Sequence, residues 1–220
     1  MIKAGLDIGN SKISCIVAEY KNSSQINILS LISTPSSNIK KNIILNYESL
    51  IDQIKNLIID TEKNSQTKIN SLNLNVPLLN SSSYHYSSEI NINNEKISEL
   101  HLKKIVNQSD YFNSDDDKFE LINNIISYDI DNRQYYSAPL GNYSDNIKIN
   151  FYKLLIQKKY VENFKSLFNA LKLNVEEFVP TPLASALSTL TNDEKELGTI
   201  CIDLGHSSSS IAIFENNKFV

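Results

Sequence analysis

The sequence predicts an α/β protein that carries a smaller, inserted α+β subdomain. A strand–turn–strand motif with the order apolar, Asp, apolar, Gly occurs twice, around Asp7 and around Asp203. Strand and helix patterns alternate over residues 1–79 and 160–220, whereas residues 80–159 form a polar, tyrosine-bearing stretch. With 220 residues, 41% of them hydrophobic, the chain can bury the cores that this division requires.

The first part of the chain is predicted to form a sheet of about five strands with a helix packed on it. Apolar patterns over residues 2–8, 13–19 and 26–32 indicate an antiparallel meander with a turn at residues 21–24. A helix capped by Asn46 and a strand at residues 69–76 follow. The helix is predicted from its apolar spacing: Tyr47, Leu50, Ile51, Ile54, Leu57 and Ile58.

Residues 80–159 are predicted to form the inserted subdomain. A short helix is indicated by Ile97, Leu100, Leu102 and Ile105, and a charged loop at residues 113–117 follows it. Residues 119–130 and 147–156 are predicted to be strands, joined by a loop over residues 131–141.

The first type of pattern resumes after the insert. The apolar stripe within residues 160–171 predicts a helix, and residues 175–179 predict a strand. A further helix is predicted to start at residues 180–182, since proline is tolerated in a first helical turn, and to run through Leu190. Residues 197–203 and 211–214 are predicted to be the strands on either side of the second turn.

The two turns have the features of a phosphate-binding site. A polyphosphate is held by backbone N–H groups that point into a tight turn, and glycine allows the close approach. Gly9 and Gly205 occupy the same place in the two motifs. Further donors to phosphate follow each glycine, and one of them, a lysine, adds positive charge. They are Asn10, Ser11 and Lys12 in the first turn, and His206, Ser207, Ser208, Ser209 and Ser210 in the second.

Asp7 and Asp203 are candidate magnesium residues. Each lies two residues before its glycine, inside an apolar strand, where a carboxylate can hold the water shell of a Mg²⁺ ion that bridges phosphates. The structural alternative is that Asp and Gly simply favour hairpin turns. The duplication favours the metal role, as does the position of both aspartates before the turn apex, because a buried carboxylate needs a partner.

Charge and composition exclude several classes of function. The formal net charge is −4 and lysines occur in isolated pairs, so we expect no nucleic-acid partner. No apolar run approaches the ~18 residues of a membrane span, and the first residues do not read as a signal peptide, so we expect a cytoplasmic protein. Cys15 and Cys201 lie in strand patterns without the spacing of a metal or redox site.

Several motifs together resemble the FtsA family of bacterial cell-division proteins, within the actin and Hsp70 superfamily. They are GLDIGNSKI at residues 5–13, PLASAL at residues 182–187, EKELG at residues 194–198 and IDLG at residues 202–205. IKKN at residues 39–42, and YDID at residues 128–131 with PLG at residues 139–141, fit the same family. The resemblance runs along essentially the whole chain.

The resemblance implies the first half of an actin-like, ribonuclease H-like ATPase fold. In this family the usual small subdomain is replaced by an insert at a different place in the sequence. Residues 1–79 and 160–195 would form subdomain 1A, and residues 80–159 the FtsA-type insert 1C, of the SHS2 class. Residues 196–220 would begin subdomain 2A.

The resemblance also implies a function. It predicts a protein that binds ATP with Mg²⁺ and polymerises, and that self-associates through the inserted subdomain. It further predicts that the protein links FtsZ filaments to the cytoplasmic face of the inner membrane, at the Z ring of the division septum. FtsZ and other divisome proteins are the expected partners. In this family the FtsZ-binding and membrane-binding parts follow the region that this chain resembles.

Two residues depart from the superfamily pattern. His206 stands where a glycine is common in the second turn, and Thr181 stands where many members place a Glu or Gln to orient the attacking water. A threonine hydroxyl is not an effective general base near neutral pH. We therefore expect ATP binding with weak or no hydrolysis, and we assign no catalytic residue.

Two other functions stay open at this point. A pilus-assembly relative of FtsA would be a binding platform with the same insert. A sugar or acetate kinase of the superfamily would share both phosphate turns and would use a carboxylate base to phosphorylate a small substrate. An Hsp70-like chaperone would lack the insert.

Overall fold

The structure, a computed structural model, describes residues 1–22, 25–41, 43–110 and 116–220; of Asn22 and Asp110 it describes only the backbone. The turn predicted at residues 21–24, the loop predicted at residues 113–117 and the motif at residues 39–42 lie partly outside this set. In the part of the chain that is described, none of the helices combines the length and the apolar character needed to cross a membrane.

The described residues form strands and helices in the following chain order. They are β1 (Ile2–Ile8), β2 (Lys12–Asn22), β3 (Gln25–Pro35), β4 (Ile39–Lys40), β5 (Ile43–Ile44), α1 (Tyr47–Ser65), β6 (Ser71–Val76), β7 (Ser82–Lys96), α2 (Glu99–Asp110), β8 (Lys118–Ile130), β9 (Arg133–Tyr135), β10 (Tyr143–Gln157), α3 (Lys158–Ala170), β11 (Asn174–Pro180), α4 (Thr181–Thr189), α5 (Asn192–Leu197), β12 (Thr199–Leu204), β13 (Ser209–Glu215) and β14 (Lys218–Phe219).

The first of two compact units comprises Met1–Leu79, Lys159–Thr189 and Cys201–Ala212. Its five-stranded sheet has the order β11-β6-β1-β2-β3. β1, β2 and β3 pair antiparallel, which confirms the predicted meander. β6 pairs parallel with β1, and β11 pairs parallel with β6.

Strand register gives the two faces of this sheet different chemistry. Leu6 pairs with Cys15 on β2 and with Leu74 on β6, and all three are buried. The next residue, Asp7, pairs with Asn75, so these two side chains lie on the opposite face. The alternation of apolar and polar residues therefore separates a hydrophobic core from a polar row that contains a candidate metal residue.

The predicted first helix forms as α1. Its cap is Asn46, as predicted: the side-chain oxygen accepts a hydrogen bond from the backbone N–H of Ser49 at 3.0 Å. The helix contacts β2 and β3. Its buried residues are Leu50, Ile54, Leu57, Ile58 and Thr61, which share one face.

Helices α3 and α4 also lie where the sequence predicts helices. α3 buries Val161, Phe164, Leu167 and Phe168, at the spacing of one helical face. α4 contacts β11 and β6, and it ends at Thr189 rather than Leu190.

The second compact unit comprises Asn80–Lys158, Leu190–Ile200 and Ile213–Val220. Its four-stranded antiparallel sheet has the order β7-β10-β8-β9, and α2 contacts β7. The predicted helix and the two predicted strands of the insert appear as α2, β8 and β10. Its core contains Ile90, Ile92, Ile97, Ile105, Tyr128, Ile130, Ile147, Ile149 and Phe151.

Strands β7 and β9 of this unit are missing from the predicted elements, as is the two-residue β14. β7 is an edge strand of 15 residues that is rich in Ser and Asn. Among the described strands it pairs with β10 alone, and one of its faces is largely exposed, so it needs few apolar residues. β9 lies inside the segment that is predicted to be a loop.

Helix α5 is missing from the predicted elements too. Thr191 and Glu194 form a capping box: the Glu194 carboxylate accepts from the Thr191 N–H at 2.8 Å, and the Glu194 N–H donates to the Thr191 hydroxyl at 3.3 Å. The strand predicted from residue 197 begins after this helix, at Thr199.

The last three strands form a sheet with the order β12-β13-β14. Residues 201–212 group with the first unit, and residues 190–200 and 213–220 group with the second. The subdomain assignment, with 1A at residues 1–79 and 160–195, 1C at residues 80–159 and 2A from residue 196, stays a prediction.

Candidate functional site

The two sequence motifs fold into turns with the same backbone hydrogen bond. Between β1 and β2, Gly9 donates its N–H to the carbonyl of Lys12 at 3.0 Å. Between β12 and β13, Gly205 donates its N–H to the carbonyl of Ser208 at 3.0 Å. The repeat in the sequence is therefore also a repeat in backbone structure.

Close approach of the chain explains the glycine in each turn. A Cβ atom on Gly9 would lie 2.9 Å from the carbonyl oxygen of Lys12, and one on Gly205 would lie 2.8 Å from that of Ser208. Both contacts are with backbone atoms, which move only if the turn itself changes. Any side chain at these positions therefore distorts the turn.

Gly9→Ala is expected to lower the free energy of unfolding by about 1–3 kcal/mol, the usual cost of backbone strain at one residue. The added methyl group would push the Lys12 carbonyl away. Chemical denaturation of the full-length protein measures the change. Gly5→Ala, on the preceding strand β1, is a matched control, because its Cβ would meet only a side-chain methyl of Ile16, at 3.2 Å. Equal stability of Gly9→Ala and wild type would contradict the strain argument.

The two turns line one cavity of the first unit, with a volume of about 310 Å³. Ser209, Ser210 and Thr181 also line it. All the predicted site residues contribute to its wall: Asp7, Gly9, Asn10, Ser11, Lys12, Asp203, Gly205, His206, Ser207 and Ser208. The structure thus brings together residues that the sequence separates by almost the whole length of the chain.

Each candidate metal carboxylate accepts a hydrogen bond from a neutral side chain. The amide of Asn75 donates to Oδ1 of Asp7 at 2.9 Å. The hydroxyl of Ser185 donates to Oδ2 of Asp203 at 2.6 Å. Both donors are neutral, so they orient the carboxylates without neutralising them.

The surroundings of Asp7 disfavour its charged form. Burial raises the pKa of the Asp7 carboxyl above its usual value, and the negative charge of Asp203 raises it further. The hydrogen bond from Asn75 and the positive charge of Lys12 act in the opposite direction, but they do not compensate fully. A bound cation would therefore stabilise the charged form of Asp7.

The donor set fits a hydrated magnesium ion and the phosphates it would bridge. Mg²⁺ prefers oxygen ligands, keeps several waters and needs only one or two carboxylates, which Asp7 and Asp203 supply. Lys12 and the serine hydroxyls of the second turn are suitable donors to phosphate. Within the described ranges there is no cluster of three or more His, Cys, Asp or Glu side chains that could hold a metal ion.

The predicted site omits the two residues that hold the carboxylates. Asn75 follows Asp7 by 68 positions, and only the pairing of β6 with β1 makes them neighbours. Ser185 precedes Asp203 by 18 positions and lies on α4. The alternation of polar and apolar residues along β6 was a signal that could have placed Asn75 on the same face of the sheet as Asp7. The residues around Ser185 carry no comparable signal for its contact with Asp203.

The chain is similar in sequence to FtsA proteins over nearly its whole length. It is 26% identical over 210 residues to the cell division protein FtsA of Pseudomonas aeruginosa, covering 96% of this chain and 50% of that protein. It is 24% identical to FtsA of Neisseria meningitidis serogroup B, covering 96% and 51%. It is 23% identical to FtsA of Agrobacterium fabrum, covering 98% and 51%. No protein-family model matches the chain.

Solved structures share the fold at low sequence identity. The PilM–PilN type IV pilus biogenesis complex contains a chain with a TM-score of 0.66 and 12% identity, covering 99% of this chain and 59% of that one. The ethanolamine utilization protein EutJ from Carboxydothermus hydrogenoformans gives a TM-score of 0.53 at 13% identity, covering 100% and 50%. These similarities establish the fold alone.

The share of each relative that the chain covers indicates how much of the fold is present. The chain spans about half the length of the curated relatives that it matches. It has the first half of an actin-like α/β ATPase fold with an inserted α+β subdomain, as predicted. The resemblance that its motifs predict is confirmed along the chain: this protein resembles the N-terminal portion of the cell-division protein FtsA.

Proposed function

We propose that this chain is the nucleotide-binding first half of an actin-like protein that binds ATP together with Mg²⁺. The observation that carries the proposal is the duplicated turn: Gly9 and Gly205 make the same hydrogen bond, and both line one cavity with Asp7 and Asp203. The turns and Lys12 would bind the phosphates, and the two carboxylates would hold the water shell of the ion. The bound ion supplies the positive charge that lets carboxylates and phosphates lie close together.

The protein acts in bacterial cell division, in the manner of FtsA. The support is sequence similarity to FtsA proteins over about half of their length. In this role it polymerises, with residues 80–159 contributing to self-association, and it works with FtsZ and other divisome proteins. It attaches FtsZ filaments to the cytoplasmic face of the inner membrane at the septum. ATP then serves mainly as a ligand that favours the assembling conformation.

ATP hydrolysis by this protein is weak or absent. The support is Thr181, which lines the cavity at the position where a water-orienting Glu or Gln is common in the superfamily. Among the described residues that line the cavity, the carboxylates are Asp7 and Asp203, and both are committed to the metal. A turnover rate well below the usual enzyme range of roughly 1–1,000 per second is expected.

A pilus-assembly platform is the second candidate function. The observation that favours it is the similarity in fold to a chain of the PilM–PilN complex. Co-sedimentation of the full-length protein with FtsZ filaments distinguishes the two functions. We expect the protein to pellet with the filaments, and a failure to do so in ATP and Mg²⁺ would favour the pilus function.

Calorimetric titration of the full-length protein with ATP tests the nucleotide site. We expect binding in Mg²⁺ and binding at least about tenfold weaker in EDTA, a difference of about 1.4 kcal/mol. Without the cation, the two carboxylates repel the phosphates. No binding of ATP in Mg²⁺ would refute the proposed function. Equal affinity in Mg²⁺ and EDTA would refute the metal role of Asp7 and Asp203.

A further inference from the structure

We propose that Asn75 and Ser185 are positioning residues for the magnesium site, each holding one carboxylate in the orientation that receives the hydrated ion. This inference rests on the proposed function, because it concerns the same cavity. Neither residue lines the cavity wall as a direct ligand would. Each acts through the aspartate that it contacts.

The geometry of the two contacts is matched. Asn75 holds Oδ1 of Asp7 at 2.9 Å, and Ser185 holds Oδ2 of Asp203 at 2.6 Å. In both cases one donor takes one oxygen. The second oxygen of Asp7, Oδ2, faces the first turn, since a Cβ on Gly9 would lie 3.8 Å from it. The oxygen nearest the turn is therefore the one left for a metal-bound water.

The choice of neutral donors preserves the charge that the metal needs. An Arg or Lys in either place would neutralise the carboxylate and compete with Mg²⁺. An amide and a hydroxyl restrict rotation about the carboxylate but leave its full charge. Such support of metal-side groups commonly changes metal affinity by about 10- to 100-fold.

The side-chain oxygen of Asn75 lowers the stability of the fold, and the positioning role gives a reason for an amide at this place. Its side-chain oxygen is buried and has no hydrogen-bond partner among the described residues. An unsatisfied buried acceptor destabilises a fold, whereas an apolar residue at this place in the strand would not. The oxygen of the Asn75 amide thus adds no stability through a hydrogen bond, and the NH₂ group at its other end makes the contact with Asp7.

The same strand offers a matched comparison. Asn73 lies two residues earlier on β6, on the same face, and its side-chain oxygen is also buried without a partner among the described residues. It pairs with Gly5 rather than with Asp7. Asn73 thus shares the burial and the chemistry of Asn75 but not the contact with the carboxylate.

Helix α4 offers a second comparison. Pro182 and Ala186 are buried and anchor the helix, so Ser185 is presented from a fixed element. Ser188, one turn later, donates its hydroxyl to the backbone carbonyl of Ser185 and is exposed. It is a serine on the same helix without the contact to Asp203.

The experiment measures ATP affinity of the full-length protein by calorimetry in Mg²⁺ and in EDTA. Asn75→Leu and Ser185→Ala are expected to weaken ATP binding in Mg²⁺ by about tenfold or more, and to leave binding in EDTA within about twofold. Ser185→Thr keeps the hydroxyl and is expected to retain wild-type affinity. Asn73→Leu and Ser188→Ala are expected to behave as wild type in both conditions. Melting temperatures establish that each variant is folded.

The outcomes separate this inference from the proposed function. If wild type shows no Mg²⁺-dependent ATP binding, both the proposed function and the positioning role are refuted. If wild type binds ATP in Mg²⁺ but Ser185→Ala and Asn75→Leu do so equally well, the positioning role alone is refuted. A loss in Asn73→Leu as large as in Asn75→Leu would also refute it. Should Asn75→Leu fail to fold, the comparison of Ser185→Ala with Ser185→Thr decides alone.

Discussion

Asp7→Asn is expected to weaken Mg²⁺-dependent ATP binding strongly and, at the same time, to raise the melting temperature of the nucleotide-free protein. The binding loss should be on the order of 100-fold, because the substitution removes a charged hydrogen-bonding group worth up to about 3 kcal/mol. The side chain keeps its shape, and its oxygen can still accept the hydrogen bond from Asn75. Function and stability therefore change in opposite directions in one variant.

The gain in stability follows from the raised pKa of Asp7. A carboxyl whose pKa is higher in the folded state than in the unfolded state binds protons more readily when folded. Its contribution to stability therefore declines as the pH rises through the interval between the two pKa values, and it is fully unfavourable above the folded-state pKa. Asp7→Asn removes this penalty, so its advantage over wild type should be largest near pH 7 and should shrink as the pH falls towards 4.

Thermal unfolding at several pH values, combined with calorimetric titration of ATP, measures both effects. Asp60→Asn is a matched control, because Asp60 is exposed on α1 and does not line the cavity. It should change neither readout. A variant Asp7→Asn that binds ATP in Mg²⁺ as tightly as wild type, or that is less stable than wild type near pH 7, would contradict the prediction.

Glu120→Ala is expected to lower the free energy of unfolding by about 3–5 kcal/mol, the cost of leaving a buried charge without its partner. The Lys153 side chain is only 3% exposed, and its ammonium group lies 2.8 Å from the Glu120 carboxylate, which is 45% exposed. The ammonium also lies 5.4 Å from the centre of the Tyr86 ring. Because the lysine and not the glutamate is buried, the two partners are not equivalent.

The asymmetry predicts different results for the two ends of the ion pair. Lys153→Met removes the buried charge and keeps the apolar stem, and the Glu120 carboxylate left behind is accessible to water. We expect this variant to be within about 1 kcal/mol of wild type. Combining Lys153→Met with Glu120→Ala should restore most of the stability that Glu120→Ala alone loses.

The pH dependence provides an independent check. Burial lowers the pKa of Lys153, but the hydrogen bond and the charge of Glu120 outweigh burial, so the pKa lies above the usual value for lysine. This favourable contribution is present below the unfolded-state pKa and is lost as the pH rises through the folded-state value. Without Glu120, burial is the largest influence left on the pKa of Lys153 and lowers it, against smaller opposing effects of Tyr86 and Tyr84. The deficit of Glu120→Ala relative to wild type should therefore shrink as the pH rises from 7 to 10.

Chemical denaturation at the two pH values measures these differences. Glu99→Ala is the matched control, because it removes one partner of an exposed ion pair with Lys103, whose side chains are 74% and 72% exposed. Such a pair contributes about 1 kcal/mol at most. Equal losses in Glu120→Ala and Glu99→Ala would show that the burial of Lys153 carries no energetic consequence.

Much of the fold could be predicted because its signals act over short distances. Ile2–Ile8 was predicted as a strand with the bounds that the structure has, because four apolar residues alternate before a glycine turn. Asn46 was predicted as a helix cap because the side chain satisfies an N–H only three residues away. Such patterns depend on the local chain and not on what packs against it.

The elements that were not predicted lack an apolar pattern within their own residues. β7 consists largely of Ser, Asn and Tyr, and its conformation depends on pairing with β10, from Lys96 with Tyr143 to Ser82 with Leu155, residues that are far apart along the chain. α5 is short and buries none of its residues, so it lacks an apolar stripe and rests on the capping box of Thr191 and Glu194. β7 was missed because its conformation depends on tertiary contacts. α5 was missed because its signal, although local, is a capping box, which a search for apolar spacing does not detect.

By itself, the sequence determined the duplicated turn, its glycines and the two aspartates that precede them, because each of these features lies within a few consecutive residues. Only the tertiary structure decided that both turns line one cavity, that Asn75 and Ser185 hold the carboxylates and that Lys153 is buried beside Glu120. The physical reason is register: which side chains meet across paired strands and packed helices depends on how distant segments align, and local residue patterns leave that alignment open.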